Sequence, residues 1–395
     1  MSLVATIALQ IPATPSVVEW LDQTADYVSI QAIIKLPSIA RRDRALLRMA
    51  TGTLGQDTST YSRNQIQDIV GRTGSRVRAV VSEDHVRVSI EVVPADLATG
   101  VSMMHSLLRE SSFLPESLSA VADDLTFRRF SDWRQALEPV SFTQPRYQPA
   151  DLKDLLAMVF RPENIYLSVG GKLQPGLATQ KWSDLTASWK MARSRPGDGD
   201  NPSPEPVYDG SLSFIEFEAP SFPARDAAFS SKLLALTALG TGKSALLWRV
   251  ARTDLAMSYR QEAVLSPVVE GFQPRLIIAH SSPENLEQKA EKVKGGLIAG
   301  IEAWTQADLK RALGMADSYL VRGGDLSPLY FSGGNPVSRS VADQTFIRGY
   351  WLMKTGTKWN PHNLVGRMGF VELEDLKQTA LAMVRDAKIR LLKGK

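Results

Sequence analysis

Gly240-Thr-Gly-Lys-Ser-Ala-Leu-Leu-Trp-Arg-Val-Ala-Arg-Thr-Asp-Leu-Ala-Met-Ser-Tyr259 decides how the rest of the chain is read. Its first five residues look like the end of a phosphate-cradling P-loop. That loop needs a further Gly at position 237, a strand before it and a helix after it, so that backbone N–H groups converge on the phosphates. Position 237 is Thr, and Lys232-Leu-Leu-Ala-Leu-Thr-Ala-Leu239 reads as a helix rather than a buried strand. The nucleotide reading is set aside. The later part reads as a short helix from Ser244 to about Arg252, then Leu255-Ala-Met-Ser-Tyr259 entering a strand, which places Arg252 and Tyr259 seven residues apart.

With 395 residues, the chain is too long for one ordinary core and predicts two domains of roughly 200 residues each. Hydrophobic content of 44% with 22% charged residues is that of a soluble globular protein. A net charge of +4 without a dense Lys/Arg run argues against nucleic acid as the main partner. No apolar run reaches the ~20 residues of a membrane span. Met1-Ser-Leu-Val-Ala-Thr-Ile-Ala-Leu9 has no basic leader, so no complete signal peptide is visible, and either cytoplasm or periplasm is compatible. The absence of cysteine excludes disulfides, thiol catalysis and Cys-based zinc sites.

From the N-terminal side, Tyr27-Val-Ser-Ile-Gln-Ala-Ile-Ile-Lys35 reads as a strand and Arg41 to Gly52 as a helix. Ser62 is placed to cap a helix from Arg63 to Gly71. Ser75 to Val81 and Val86 to Val92 alternate with period two around Ser82-Glu-Asp-His85, which predicts a hairpin with Val86, Val88, Ile90 and Val92 on one face. A helix with Leu97, Val101, Met104 and Leu108 on its inner stripe follows. Residues 194–210 are rich in Pro, Gly and Asp and cannot bury apolar surface, so they read as a linker. The expected division is a first domain at 1–193, a linker at 194–211 and a second domain at 212–395. Val70-Gly-Arg-Thr73 before one hairpin is echoed by Val250-Ala-Arg-Thr253 before the next, and the matching order of elements suggests internal duplication.

The stretch ending at Tyr259 resembles the segment S-R-L-F-x-x-L-R-E-x-x-G-L-A-Y-S of the pitrilysin, insulinase and mitochondrial processing peptidase family. Leu247 and Trp248 stand at the family Leu and Phe, Arg252 and Tyr259 at its Arg and Tyr, and Ala256 at its Gly. Ile69 to Asp96 resembles the family's helix and hairpin, Phe160 to Gly170 its Y-x-P-x-N strand, and Thr305 to Ala312 its I-T-x-E-E-L helix. The resemblance implies an α/β (α+β) chain of two similar domains, each an antiparallel-rich sheet with helices packed on one face.

One departure sets the functional expectation. Active members carry His-x-x-Glu-His on the first helix, where two imidazoles one turn apart bind zinc and the Glu activates water. Here that helix reads Arg42-Asp-Arg-Ala-Leu-Leu-Arg-Met49, and no two of His85, His105, His280 and His362 lie within a helical turn. Asp123 and Asp124 fall near the place of the family's later Glu. No metal ligand, cofactor or catalytic residue is therefore expected in this chain. The resemblance instead implies a non-catalytic subunit that pairs with an H-x-x-E-H paralogue carrying the zinc. In such two-chain bacterial members the inert subunit supplies Arg and Tyr, here Arg252 and Tyr259, to an unfolded peptide held in a shared chamber. The alternative is a structural or peptide-binding homologue with no role in proteolysis.

Overall fold

The computed structural model describes residues 16–36, 41–124, 129–130, 149–189, 207–208, 210–258, 260–322, 328–329 and 339–395. Most of the stretch expected as a linker, 194–206, lies outside the described residues. The first half contributes β1 (Ser16–Leu21), β2 (Val28–Lys35), α1 (Arg41–Gly52), α2 (Arg63–Gly71), β3 (Arg78–Val81), β4 (His85–Val92), α3 (Leu97–Arg109), α4 (Pro115–Asp124), β5 (Arg129–Phe130), α5 (Pro149–Val159), β6 (Ile165–Gly171) and α6 (Leu177–Thr186). Its sheet has the order β1-β6-β2-β4-β3, with β1 parallel to β6 and the other pairs antiparallel. Side chains alternate across a strand. The register Ile30↔Ile90 and Ile34↔Val86 therefore gathers Val28, Ile30, Ala32 and Ile34 with Val86, Val88, Ile90 and Val92 on one face. That face buries against Leu46, Leu47 and Ala50 of α1, Val101, Met104 and Leu108 of α3, and Trp182 of α6. Ser62 caps α2 in a reciprocal box with Gln65, satisfying two otherwise orphaned N–H groups.

The second half adds β7 (Val207–Tyr208), β8 (Ser213–Glu218), β9 (Phe222–Pro223), α7 (Phe229–Gly240), α8 (Leu246–Trp248), β10 (Gln261–Val268), β11 (Gly271–His280), α9 (Leu286–Glu302), α10 (Gln306–Asp317), α11 (Val341–Thr355), α12 (Pro361–Met368), α13 (Leu373–Arg385) and β12 (Lys388–Leu392). Its sheet runs β10-β11-β8-β12, entirely antiparallel, with β9 on the end of β11. Ile215, Phe217, Leu265, Phe272 and Ile278 face a core built with α7, α9 and α13. The inner residues of α9 are Leu286, Ala290, Val293, Leu297 and Ile301, the stripe that helical spacing predicts.

The halves are joined by α11. It belongs to the second half by sequence, yet it lies on the face of the first sheet opposite α1 and α3. That face is polar: Ser29 and Gln31 of β2, Arg87 of β4 and Ser168 of β6. Ser168 donates to Thr345 O at 2.6 Å, Gln31 to Ala342 O at 2.6 Å, and Arg87 Nε to Gln31 Oε1 at 2.9 Å. The Arg87 guanidinium also sits over the Phe346 ring at 4.5 Å, and burial draws its pKa down to about 10. Gly349 sets the approach. A Cβ there would lie 2.5 Å from Ile33 Cδ1 and 2.7 Å from Ser168 Cβ, so only a hydrogen fits. Gly349→Val should cost about 1–3 kcal/mol of stability by overpacking, measured by chemical denaturation. A loss below ~0.5 kcal/mol, the scatter of neutral surface changes, would mean that the helix is free to shift.

Candidate functional site

The Gly-rich turn is not a phosphate cradle. The element before it is the helix α7, not a strand, and the turn is shaped by packing. Gly240 sits against Ala263 of β10, leaving no room for a side chain. Gly242 has φ +83°, where an L-residue is strained. After α8 the chain widens into a π-helical turn, Arg249–Asp254, a local irregularity that often accompanies functional positions. Val250 and Ala251 are buried in the second core and anchor the turn. Ala251 O then accepts from Met257 N at 2.8 Å and from Ser258 N at 3.3 Å. Beyond it, Ser258 Oγ accepts from Arg260 N at 3.0 Å and donates to Arg260 O at 2.8 Å.

Arg252 is half-buried on this π turn, placed by a backbone whose neighbours are core residues. Tyr259 lies outside the described residues. Ala256 has φ +49°, a left-handed conformation that costs an L-residue about 1–2 kcal/mol and that Gly adopts freely. It is also the position where the resembling segment carries Gly. Ala256→Gly should therefore stabilise the chain by about 0.5–1 kcal/mol, because relief of the strain outweighs the extra freedom of the unfolded chain. Thermal and urea unfolding of the two chains measure this, and a destabilised variant would refute it.

Helix α1 carries no histidine. Arg44 and Arg48 stand four residues apart, the spacing of the two imidazoles in H-x-x-E-H, but both are spent on backbone. Arg44 is buried and donates from Nη1 to Ser82 O at 2.9 Å and Glu83 O at 3.1 Å. Arg48 Nη2 reaches Val81 O at 3.5 Å. A permanently cationic guanidinium cannot ligate zinc. Among the described residues no group of three or more His, Asp or Glu is placed to hold a metal ion. Asp123 and Asp124 lie at the end of α4, and their side chains are outside those described.

The most organised polar cluster was not legible in the sequence. Ser82-Glu-Asp-His85 reads from the sequence only as the link of a hairpin; in the structure α11 covers it, and Asp84 and His85 are 2% and 0% exposed. Asp84 Oδ1 pairs with His85 Nδ1 at 2.8 Å, while Oδ2 accepts from Tyr350 OH at 2.9 Å and Lys354 Nζ at 2.6 Å. Lys354 Nζ also donates to Val269 O at 3.1 Å and to Val268 O, on the β10–β11 turn. Burial pushes the Asp84 carboxyl up, but the His85 hydrogen bond and the Lys354 charge more than reverse this, and it lies below the usual carboxylate range. Beside it opens a cleft of about 540 Å³, lined in part by Lys35, Asn164, Glu270 and Lys354.

No family model matches the sequence, and no curated protein matches it. Solved structures do match. The structure of a peptidase M16 inactive domain from Pseudomonas fluorescens superposes with a TM-score of 0.73 at 12% identity, over 97% of this chain and 96% of that one. A protease from Helicobacter pylori gives 0.73 at 14% identity, covering 97% of both chains. A conserved protein from Enterococcus faecalis gives 0.62 at 9% identity over 96% of each. Along nearly its whole length the chain shares the mixed α/β fold of these structures, among them that of a peptidase M16 inactive domain.

Proposed function

We propose that this chain is the non-catalytic subunit of a heteromeric zinc metalloendopeptidase. One observation carries the reading. Its fold matches an M16 inactive domain along nearly the whole of both chains, while its own first helix, Arg41 to Gly52, carries no histidine with which to hold zinc. Zinc would belong to a partner chain bearing H-x-x-E-H. The two chains would close around an unfolded peptide, each supplying half of the chamber.

Within that chamber Arg252 and Tyr259 are assigned to the substrate. A guanidinium and a phenol are hydrogen-bond donors matched to a peptide carbonyl. They would hold the carbonyl beside the partner's metal and stabilise the charge that develops on its oxygen when water attacks. The buried Val250 and Ala251 support the assignment for Arg252, because they fix the turn that carries it.

Mixing this chain with its H-x-x-E-H partner should produce a complex on size exclusion and a peptidase activity that neither chain shows alone. The chain by itself should hold no stoichiometric zinc on metal analysis. Within the complex, Tyr259→Phe and Arg252→Ala should each lower kcat/KM by roughly a hundred- to a thousandfold, the usual loss for a preorganised oxyanion donor, with elution volume unchanged. Arg249→Ala is the matched control, since Arg249 lies three residues earlier and is exposed. Turnover within about twofold of wild type for Tyr259→Phe, far below the ~100-fold expected of a donor, would remove the pair from the mechanism and leave the structural alternative.

A further inference from the structure

We propose that Asp84 is an ionic pin that fixes the two halves of this chain at one angle, with Arg44 and Arg48 of α1 as the residues that position it. Two elements meet at one carboxylate, the β3–β4 turn that carries it and α11 through Tyr350 and Lys354, and the Lys354 ammonium carries the contact on to the β10–β11 turn by donating to the carbonyls of Val268 and Val269. The turn cannot place Asp84 without support. Its carbonyls at Val81, Ser82 and Glu83 all face α1, where Arg48 and Arg44 take them up, and Asp84 O accepts from Leu36 N at 2.9 Å. The line of contact runs from α1 through a turn of the first sheet into the second half without a break. Removing one member of a buried ion pair leaves the other charge uncompensated, so the pin is sensitive at every joint.

The pin is also responsive to acid. The groups facing Asp84 and Lys354 are His85 on β4, Glu83 in the turn, Arg44 on α1, Lys35 at the end of β2, Tyr350 on α11 and Glu270 between β10 and β11. Because the folded state holds the Asp84 carboxyl below its ordinary range, its contribution is complete above that range and is lost as the pH falls through the depressed value.

Hydrogen exchange on the intact chain tests this, read at residues 81–85 and, separately, at 268–271. Asp84→Asn keeps the size of the side chain and removes its charge; it should speed exchange at both turns by about tenfold. Arg44→Met should do the same at 268–271, although every hydrogen bond of Arg44 lies in the first half, and Arg44→Lys should restore part of the protection. If Arg44→Met does not fold, Lys354→Met alone and combined with Asp84→Asn replaces it, the pair being strongly non-additive. Wild-type protection at 268–271, corrected for intrinsic exchange, should fall in acid, and Asp84→Asn should lack that fall. Exchange at 268–271 within twofold of wild type in these variants, additive effects of the pair, or an identical acid response in Asp84→Asn would each overturn the proposal.

Discussion

Everything in this structure depends on a polar sheet face being buried without loss. Taking an amide, hydroxyl or charge out of water costs several kcal/mol unless a partner replaces the water. The outer face of the first sheet presents Ser29, Gln31, Arg87 and Ser168, and α11 brings a matched partner to its main groups: carbonyls at Ala342 and Thr345 and the Phe346 ring. Apolar contact alone would tolerate a helix sliding along the sheet. Directional hydrogen bonds, with Gly349 seated against Ile33 and Ser168, do not. The halves are therefore one body at this joint, and Ile33 of the first sheet is counted within the core of the second half.

This explains how far the sequence could be read. The hairpin, the inner stripes of α3 and α9 and the cap at Ser62 follow from period and local chemistry, which act over a few residues. The role of α11 does not. It is covered on two sides, by the first sheet and by the second core, so Thr345, Phe346, Ile347, Gly349, Tyr350 and Met353 are all buried and no single apolar stripe emerges. Likewise Ser82-Glu-Asp-His85 has the composition of a solvated turn, and only a helix more than 250 residues away in sequence makes it an interior one. Long-range burial of polar residues leaves no periodic trace.

The stretch from Gly240 to Tyr259 was legible in part for a related reason. The turn residues Gly240 and Gly242 and the buried Leu247 and Val250 are local signals, and they place Arg252. Between Arg252 and position 259, however, the backbone leaves the 3.6-residue period through a π turn and a left-handed Ala256. Counting residues along an ideal helix would give the wrong direction for every side chain after Arg249. The seven-residue spacing is thus informative only as a motif in register with the rest of the chain, since no helical face connects its two ends.

The same physics accounts for a fold shared at 9–14% identity while no family model matches. Alternation in β2 and β4 fixes which face is apolar but accepts any of several branched side chains. A close approach fixes Gly349 but says nothing of its neighbours. A buried carboxylate fixes its partners only as a charge and a set of donors. Each constraint restricts the chemistry of a position more than its identity, and sequence comparison scores identity. On the first helix, two arginines are used on the backbone carbonyls of the β3–β4 turn. Alongside that brace, Leu46, Leu47 and Ala50 of the same helix pack against the apolar face of the sheet, so α1 is held by polar and apolar contacts together, and neither kind fixes which residue must supply it.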